Sequence, residues 1–267
     1  MSGTVRRWAD LKTIDFGKDA DMRVALLPVA AVEQHGPHLP LGTDAYILEA
    51  VLKRLAASPP KNAEILLLPL QSIGDSTEHT DFPGTLTKDA ETLIASWMAI
   101  GESVAESGVA KLAIINSHGG QPQIVDIVAQ RLRAEFQMLA GRINTFLLGV
   151  PEGIFSQDEL SFGFHGGEVE TSMMLSIAPE LVDMSAAKNF ASLGAKMAKD
   201  NKVLRAEGGA AIAWQAQDLN GEGATGNAAA ADAKRGAQTL DHIAARIADA
   251  LDELAVFDIS LLRDGPQ

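Results

Sequence analysis

Cysteine is absent from the 267-residue chain. Disulfides and thiolate metal sites are thereby excluded, and any metal must be held by histidine and carboxylate. Positive charge is scarce: 22 Lys and Arg face 35 Asp and Glu, a formal net charge of −13 at pH 7. A broad phosphate-binding face does not fit that balance, so no nucleic-acid partner is expected. Long apolar runs are missing too. The longest, residues 24–32 and 65–70, fall far short of the roughly 20 residues of a membrane-spanning helix. The two arginines of the opening MSGTVRRWAD have no apolar secretory stretch behind them, so a cytoplasmic protein without a membrane partner is expected. With 46% hydrophobic residues, a single α/β domain over 1–267 can bury a substantial core.

Strand-length apolar runs alternate with helix-period stretches, the pattern of a three-layer α/β/α sandwich around a mainly parallel sheet. The spacing predicts strands over 23–32, 65–69, 111–116 and 143–148. Helices are expected over 43–57, with Thr43 as N-cap, over 87–108 up to Gly108, over 121–139, and over 232–254, where Leu240, Ile243, Ile247 and Leu251 share a face. Residues 151–167 and the glycine-rich 220–227 read as loops.

The chemistry-bearing residues follow these strands. Glu33 and His35 are two positions apart, so an extended backbone sends both to one face before Gly36 and Pro37 turn the chain. Asp44 opens the next helix, either as a simple cap or as a partner of that pair. The strand ending in Asn116 leads into His118, Gly119 and Gly120. In doubly wound sheets ligands collect outside the carboxyl ends of the strands, and glycines let main-chain N–H groups approach them. In His165-Gly166-Gly167-Glu168-Val169-Glu170 the two glutamates point about 200° apart on a helix. One would reach a common centre; the other could orient a ligand, bind substrate or cap the helix. Histidines and surplus carboxylates suit Zn²⁺, Mn²⁺ or Fe²⁺, and the surplus suggests two ions with a bridging carboxylate, able to hold a hydroxide and polarise an amide carbonyl.

Four segments, VEQHGPHLPLGTD (32–44), GDSTEHTDFPGTLT (74–87), INSHGG (115–120) and HGGEVETSMML (165–175), resemble those of the creatininase family of metal-dependent amidohydrolases. The resemblance implies a two-metal centre on Glu33, His35, Asp44 and His118, with Asp44 bridging. Creatininase itself has a further glutamate two residues after the second histidine, where this chain has Gly120. Other members take that ligand from the helix-opening motif, which implies Glu168 as metal ligand, with His165 and Glu170 as the catalytic pair. His165 would shuttle a proton to the leaving nitrogen. The implied reaction is hydrolysis of a non-peptide, cyclic amide in a small molecule. Relatives that trim a redox-cofactor precursor or deformylate an intermediate supply the alternative, and a non-enzymatic metal-binding scaffold is a second. A homo-oligomer, hexameric as in the family, is implied as well.

The same resemblance places His79, Gly119, Gly120, Phe155 and Phe164 around the substrate; Phe162 lies between the last two, and no tryptophan accompanies them. His79 and His38 read equally as loop histidines bonded to backbone. Trp97, Met173 and Met174 fall in helix-period stretches and read as core, His242 as solvated, Tyr46 as a candidate neighbour of the site, and Pro83-Gly84 as a turn.

Overall fold

The computed structural model of the chain describes residues 3–16 and 22–263. Its sheet is built on strand β2 (Arg23–Val29), flanked by β3 (Glu64–Leu67) and β4 (Lys111–Asn116), with β1 (Thr4–Arg7) beyond β3 and β5 (Leu139–Asn144) beyond β4. The order is β1-β3-β2-β4-β5, and every pairing is parallel. Alternation along the strands divides the core. Val24 and Leu26 of β2, with Ala113 and Ile115 of β4, enter one hydrophobic cluster. Ala25, Leu27, Leu112 and Ile114 enter the other. The first cluster is covered by α1 (Thr43–Ala57), α5 (Glu168–Ile177) and α8 (Ala233–Val256), the second by α2 (Ala90–Glu106) and α3 (Pro122–Phe136). Trp97 is buried in the second, and Met173 and Met174 in the first, as expected of core residues. No helix among the described residues is long and apolar enough to cross a membrane.

The chain passes from β2 through α1 to β3 on one side, then returns through α2 to β4 on the other side of β2. The carboxyl ends of β2 and β4 therefore border a topological switch point, the crevice where such sheets collect ligands.

Several boundaries differ from the sequence expectation for local reasons. Helix α3 stops at Phe136 because Gln137 adopts a left-handed conformation, φ 56°. That frees Leu139 to open β5, which ends at Asn144 before a 3-10 turn over Thr145–Leu147. Asp89 starts α2 by accepting from the Thr92 N–H at 2.7 Å. Thr43 lies inside α1, its hydroxyl donating to the Pro40 carbonyl at 2.7 Å, and Gly42 occupies the cap position.

The stretch expected to be loop over 151–167 holds α4 (Gln157–Phe162), capped by Ser156. Short elements follow α5: β6 (Asn189–Phe190) pairs antiparallel with β7 (Gly226–Asn227) from the glycine-rich stretch, and α6 (Leu193–Asp200) and α7 (Ala216–Leu219) lie between them.

Candidate metal centre

Each site residue is delivered by an element of the switch point. Beyond β2 the chain stays extended through Glu33, Gln34 and His35; Glu33 and His35 are 1% exposed. Asp44 stands in the first turn of α1 and is 3% exposed. His118 leaves the end of β4 under the control of Asn116, whose side chain accepts from the His118 N–H at 3.0 Å and donates to its carbonyl at 2.8 Å. Asn144, the parallel neighbour of Asn116 on β5, accepts the second Asn116 N–H at 3.0 Å.

These side chains converge. His118 Nδ1 lies 3.1 Å from Glu33 Oε1 and 3.2 Å from Asp44 Oδ2. His35 Nε2 lies 3.3 Å from Asp44 Oδ1 and 3.9 Å from Glu170 Oε2. Asp44 thus offers a different oxygen to each imidazole. His165 joins from the segment before α5, its ring centroid 4.3 Å from those of both His35 and His79.

Hydrogen bonds assign the free nitrogens. The His118 Nε2–H donates to the Asp75 carbonyl at 2.7 Å, the His35 Nδ1–H to the Glu33 carbonyl at 3.1 Å, and the His165 Nε2–H to the Gln34 carbonyl at 2.8 Å. Each of these rings keeps its other nitrogen for the centre. His79 is the reverse: its Nδ1 accepts from the Gln34 amide at 2.7 Å, so its N–H points at Glu33 Oε1, 3.5 Å away.

Sequence reasoning assigned no chemistry to Gln34, because an extended chain sends it away from Glu33 and His35. That opposite direction is its use, since its amide also donates to the Gly223 carbonyl at 2.8 Å and thereby locks the glycine-rich loop onto the site. Gly223 has φ 83°, and a Cβ there would overlap Gln34. His79 sits within the cluster rather than on loop backbone, and His38 is bonded instead to the Thr171 hydroxyl at 2.9 Å.

The glutamates of the helix-opening motif diverge as their angular spacing requires. Glu168, expected at the metal, ion-pairs with Arg235 of α8 and belongs to none of the groups among the described residues that could hold a cation. Glu170 is the one that faces His35, its Oε2 also accepting from the Gly166 N–H at 2.6 Å. Nothing along the chain pairs positions 168 and 235, which are joined only by the packing of α5 on α8.

Phe155, expected near substrate, is buried beneath the Arg235 guanidinium, 5.3 Å from its ring centroid. Phe164 is exposed and paired with Trp214 at 6.0 Å. Tyr46 is exposed above Gly42, and His242 is half-buried. Gly119 has open space around it, whereas Gly120 is pressed against His118 and Glu78.

Glu159, also missed, holds this corner together. It accepts from the main-chain N–H groups of Glu168 at 2.6 Å and Asn227 at 2.8 Å. A Cβ on Gly163, Gly167 or Gly226 would run into its carboxylate, which accounts for those glycines.

Charge inside the cluster is set by burial and neighbours. Burial works against ionisation of Glu33, but the charge and hydrogen bond of His118 outweigh it and hold the carboxyl far below its usual range. Burial likewise opposes charge on His35, yet Asp44, Glu170 and Glu33 push it up to about 10. His118 is raised well above its usual value against burial, chiefly by Glu33 and Asp44. Burial with the charge of His35 keeps His165 well below its ordinary range, and burial takes His79 down to about 4 despite Glu33. Glu170 rises to about 7 through burial, with Asp44 adding to it against the pull of His35.

Among the described residues, Glu33 Oε2, His35 Nε2 and Asp44 Oδ2 are buried without a hydrogen-bond partner. Buried, unpartnered oxygens and nitrogen within one cluster are the donors that a divalent-cation site needs, and the residues fit such an ion. Cation uptake must displace the protons on His35 and His118, so uptake is expected to release protons and to weaken as pH falls below about 10. Calorimetric titration with Zn²⁺ in buffers of different ionisation enthalpy checks this; a heat independent of buffer contradicts it. The complementary sign holds for the metal-free chain. Stability contributed by the raised His35 pKa is fully present below the ordinary value of 6.5 and is lost as pH rises through about 10.

A doubly wound parallel sheet with clustered imidazoles and carboxylates at its switch point defines an α/β fold carrying a group able to bind a metal. The chain belongs to the creatininase family, whose model, described as creatinine amidohydrolase, matches residues 7–251. It is similar to a mycofactocin precursor peptide peptidase of Mycobacterium ulcerans (strain Agy99), 34% identical over 175 residues, which are 63% of this chain and 64% of that protein. It is also similar to a creatinine amidohydrolase of Pseudomonas putida, 29% identical over 177 residues, 60% of this chain and 66% of that one. The chain thus spans just under two thirds of each relative's length. A solved creatininase variant described as Zn–Zn type superposes with a TM-score of 0.70 at 26% identity, over 92% of this chain and 97% of the other.

Proposed function

We propose that the chain hydrolyses the C–N bond of a small, non-peptide, cyclic amide with two divalent cations, Zn²⁺ or Mn²⁺ with Fe²⁺ also compatible with the donors. The observation that carries this reading is the division of Asp44, Oδ1 at 3.3 Å from His35 and Oδ2 at 3.2 Å from His118, as a bridging carboxylate requires. Glu33, Asp44 and His118 would hold one ion, and His35, Asp44 and Glu170 the other. When bound, such a pair supplies Lewis acidity at the carbonyl and acidifies a water.

The chain's own groups do the rest. His165 stays neutral, keeps its Nε2 proton on the Gln34 carbonyl and turns Nδ1 toward Glu33. There it accepts the nucleophile's proton and returns it to the leaving nitrogen. His165→Asn is expected to lower kcat by roughly 10²–10⁴-fold with metal content unchanged. Equal kcat would remove His165 from the reaction.

A cavity of about 310 Å³ beside the centre, lined by Gln34, Gly36, Pro37, Leu41, Phe82 and Glu222 among others, is sized for a small ligand. A larger space of about 810 Å³ lies at the β1–β3 edge, away from the residues that flank His35.

A second reading keeps the metals and makes the substrate a peptide or formamide of a biosynthetic intermediate. Its support is the 34% identity to the mycobacterial peptidase. Metal analysis of the purified protein, followed by assays on lactams and cyclic ureas, formamides and short peptides, separates these readings. Turnover of peptides or formamides alone selects the second. A metal-replete protein inert to every class would be a scaffold, and fewer than one divalent ion per chain would remove the metal mechanism. We further propose a homo-oligomer, for which light scattering is expected to give the mass of a hexamer.

A further inference from the structure

Among the described residues, Glu78 is a carboxylate pressed against the cluster that neither the helix-opening motif nor the two proposed ion positions use. It comes from the 3-10 turn Thr77–His79, outside the core strands and long helices. Its Oε1 lies 3.7 Å from His118 Nε2 and 3.8 Å from His79 Nε2, and with Glu33 and His118 it forms a group whose ligand atoms all lie within 4.8 Å of one another. Glu33 Oε2, in the same group of residues, is buried and without a hydrogen-bond partner.

Position 120 explains how the carboxylate gets there. A Cβ built on Gly120 would overlap Glu78 Oε1 and crowd the His118 ring. Any side chain at 120 would therefore expel Glu78 from its place beside His118, whereas the neighbouring Gly119 has nothing within 4 Å of such a Cβ. Of the two adjacent glycines, only Gly120 is required to be bare, and the closest group that requires it is the Glu78 carboxylate. The turn holding Glu78 is itself anchored to the centre, because the Asp75 carbonyl that starts this segment receives the His118 Nε2–H at 2.7 Å. The Ser76 N–H donates to the Thr87 hydroxyl at 2.9 Å, closing the loop that carries both Glu78 and His79.

We infer that Glu78 is a further metal ligand, a carboxylate delivered from the 77–79 turn into the space left by the bare Gly120, binding the cation shared with Glu33 and His118. This rests on the reading of the cluster as a metal centre. A hard oxygen donor there completes a Glu33, Asp44, His118 and Glu78 set, three carboxylates and one imidazole, which is the donor balance that suits Mn²⁺ or Fe²⁺ as well as Zn²⁺. The ion next to His35 has no such carboxylate from this turn, so loss of Glu78 should affect one ion and spare the other.

The test compares the full-length wild-type protein with Glu78→Gln and the shorter-armed Glu78→Asp, by metal content after exhaustive dialysis, by calorimetric titration with Mn²⁺, and by the visible d–d spectrum of the Co²⁺-loaded protein. The expected result is that wild type retains two ions and Glu78→Gln one, with at least tenfold weaker Mn²⁺ binding at the affected position and an altered Co²⁺ spectrum. Glu78→Asp should fall between. Near-ultraviolet circular dichroism of the metal-free variants checks the fold; if Glu78→Gln does not fold, an altered spectrum and weakened titration in folded Glu78→Asp support the assignment in its place. Two ions with unchanged affinity and spectrum in the folded variants would overturn the assignment while leaving the metal centre standing. Failure of wild type itself to bind a divalent ion would overturn the centre and this ligand together.

Discussion

Asp44→Ala is expected to lose at least one of the two cations and to lower kcat/KM about a thousandfold or more, because metal stabilisation of the reacting carbonyl is worth several kcal/mol and each 1.36 kcal/mol is tenfold. No other residue of the cluster offers separate oxygens to two imidazoles, and both of those imidazoles owe their raised affinity for protons partly to it. The fold should survive, since Asp44 makes no capping bond for α1, where Gly42 holds the cap position. Metal analysis with steady-state kinetics, alongside circular dichroism, reads the result. Unchanged metal content with unchanged kcat/KM would show that Asp44 bridges nothing.

Arg235→Ala is expected to destabilise the protein by roughly 3–5 kcal/mol, the penalty for leaving a buried carboxylate without its partner, or a fall of about 10 °C in melting temperature for a chain of this size. The carboxylate is Glu168, whose side chain is 7% exposed, and the guanidinium that meets it also donates to the Ile154 carbonyl at 3.1 Å and covers Phe155. The pair ties the start of α8 to the start of α5. The companion variants make the functional point. Glu168→Gln should lower the melting temperature and keep both ions, whereas Glu170→Gln should weaken cation binding next to His35. If Glu168→Gln instead released a metal ion while Arg235→Ala left stability unchanged, Glu168 would be the ligand and the ion pair with Arg235 incidental.

Where residues are close along the chain, local geometry made the site legible. The two-residue step from Glu33 to His35, and the strand-then-turn segment ahead of His118, placed these polar groups at strand ends without any tertiary information. The spacing of Glu168 and Glu170 likewise required them to point apart. It could not say which way either pointed, because that depends on how α5 is rotated against α8. The same limit hid Gln34, whose partners lie 45 and 189 positions away, and Glu159, whose bonds reach Glu168 and Asn227.

The α/β class, the cysteine-free donor set and the strand ends that carry it were already written in the order of the amino acids, because composition and period-2 or period-3.6 patterning act over a few residues. Three things waited for the folded chain: which glutamate faces His35, the entry of His79 and Glu78 into the cluster, and the reason position 120 carries no side chain. Those outcomes depend on which distant surfaces pack together, and a single buried ion pair or a Cβ too many is enough to change them.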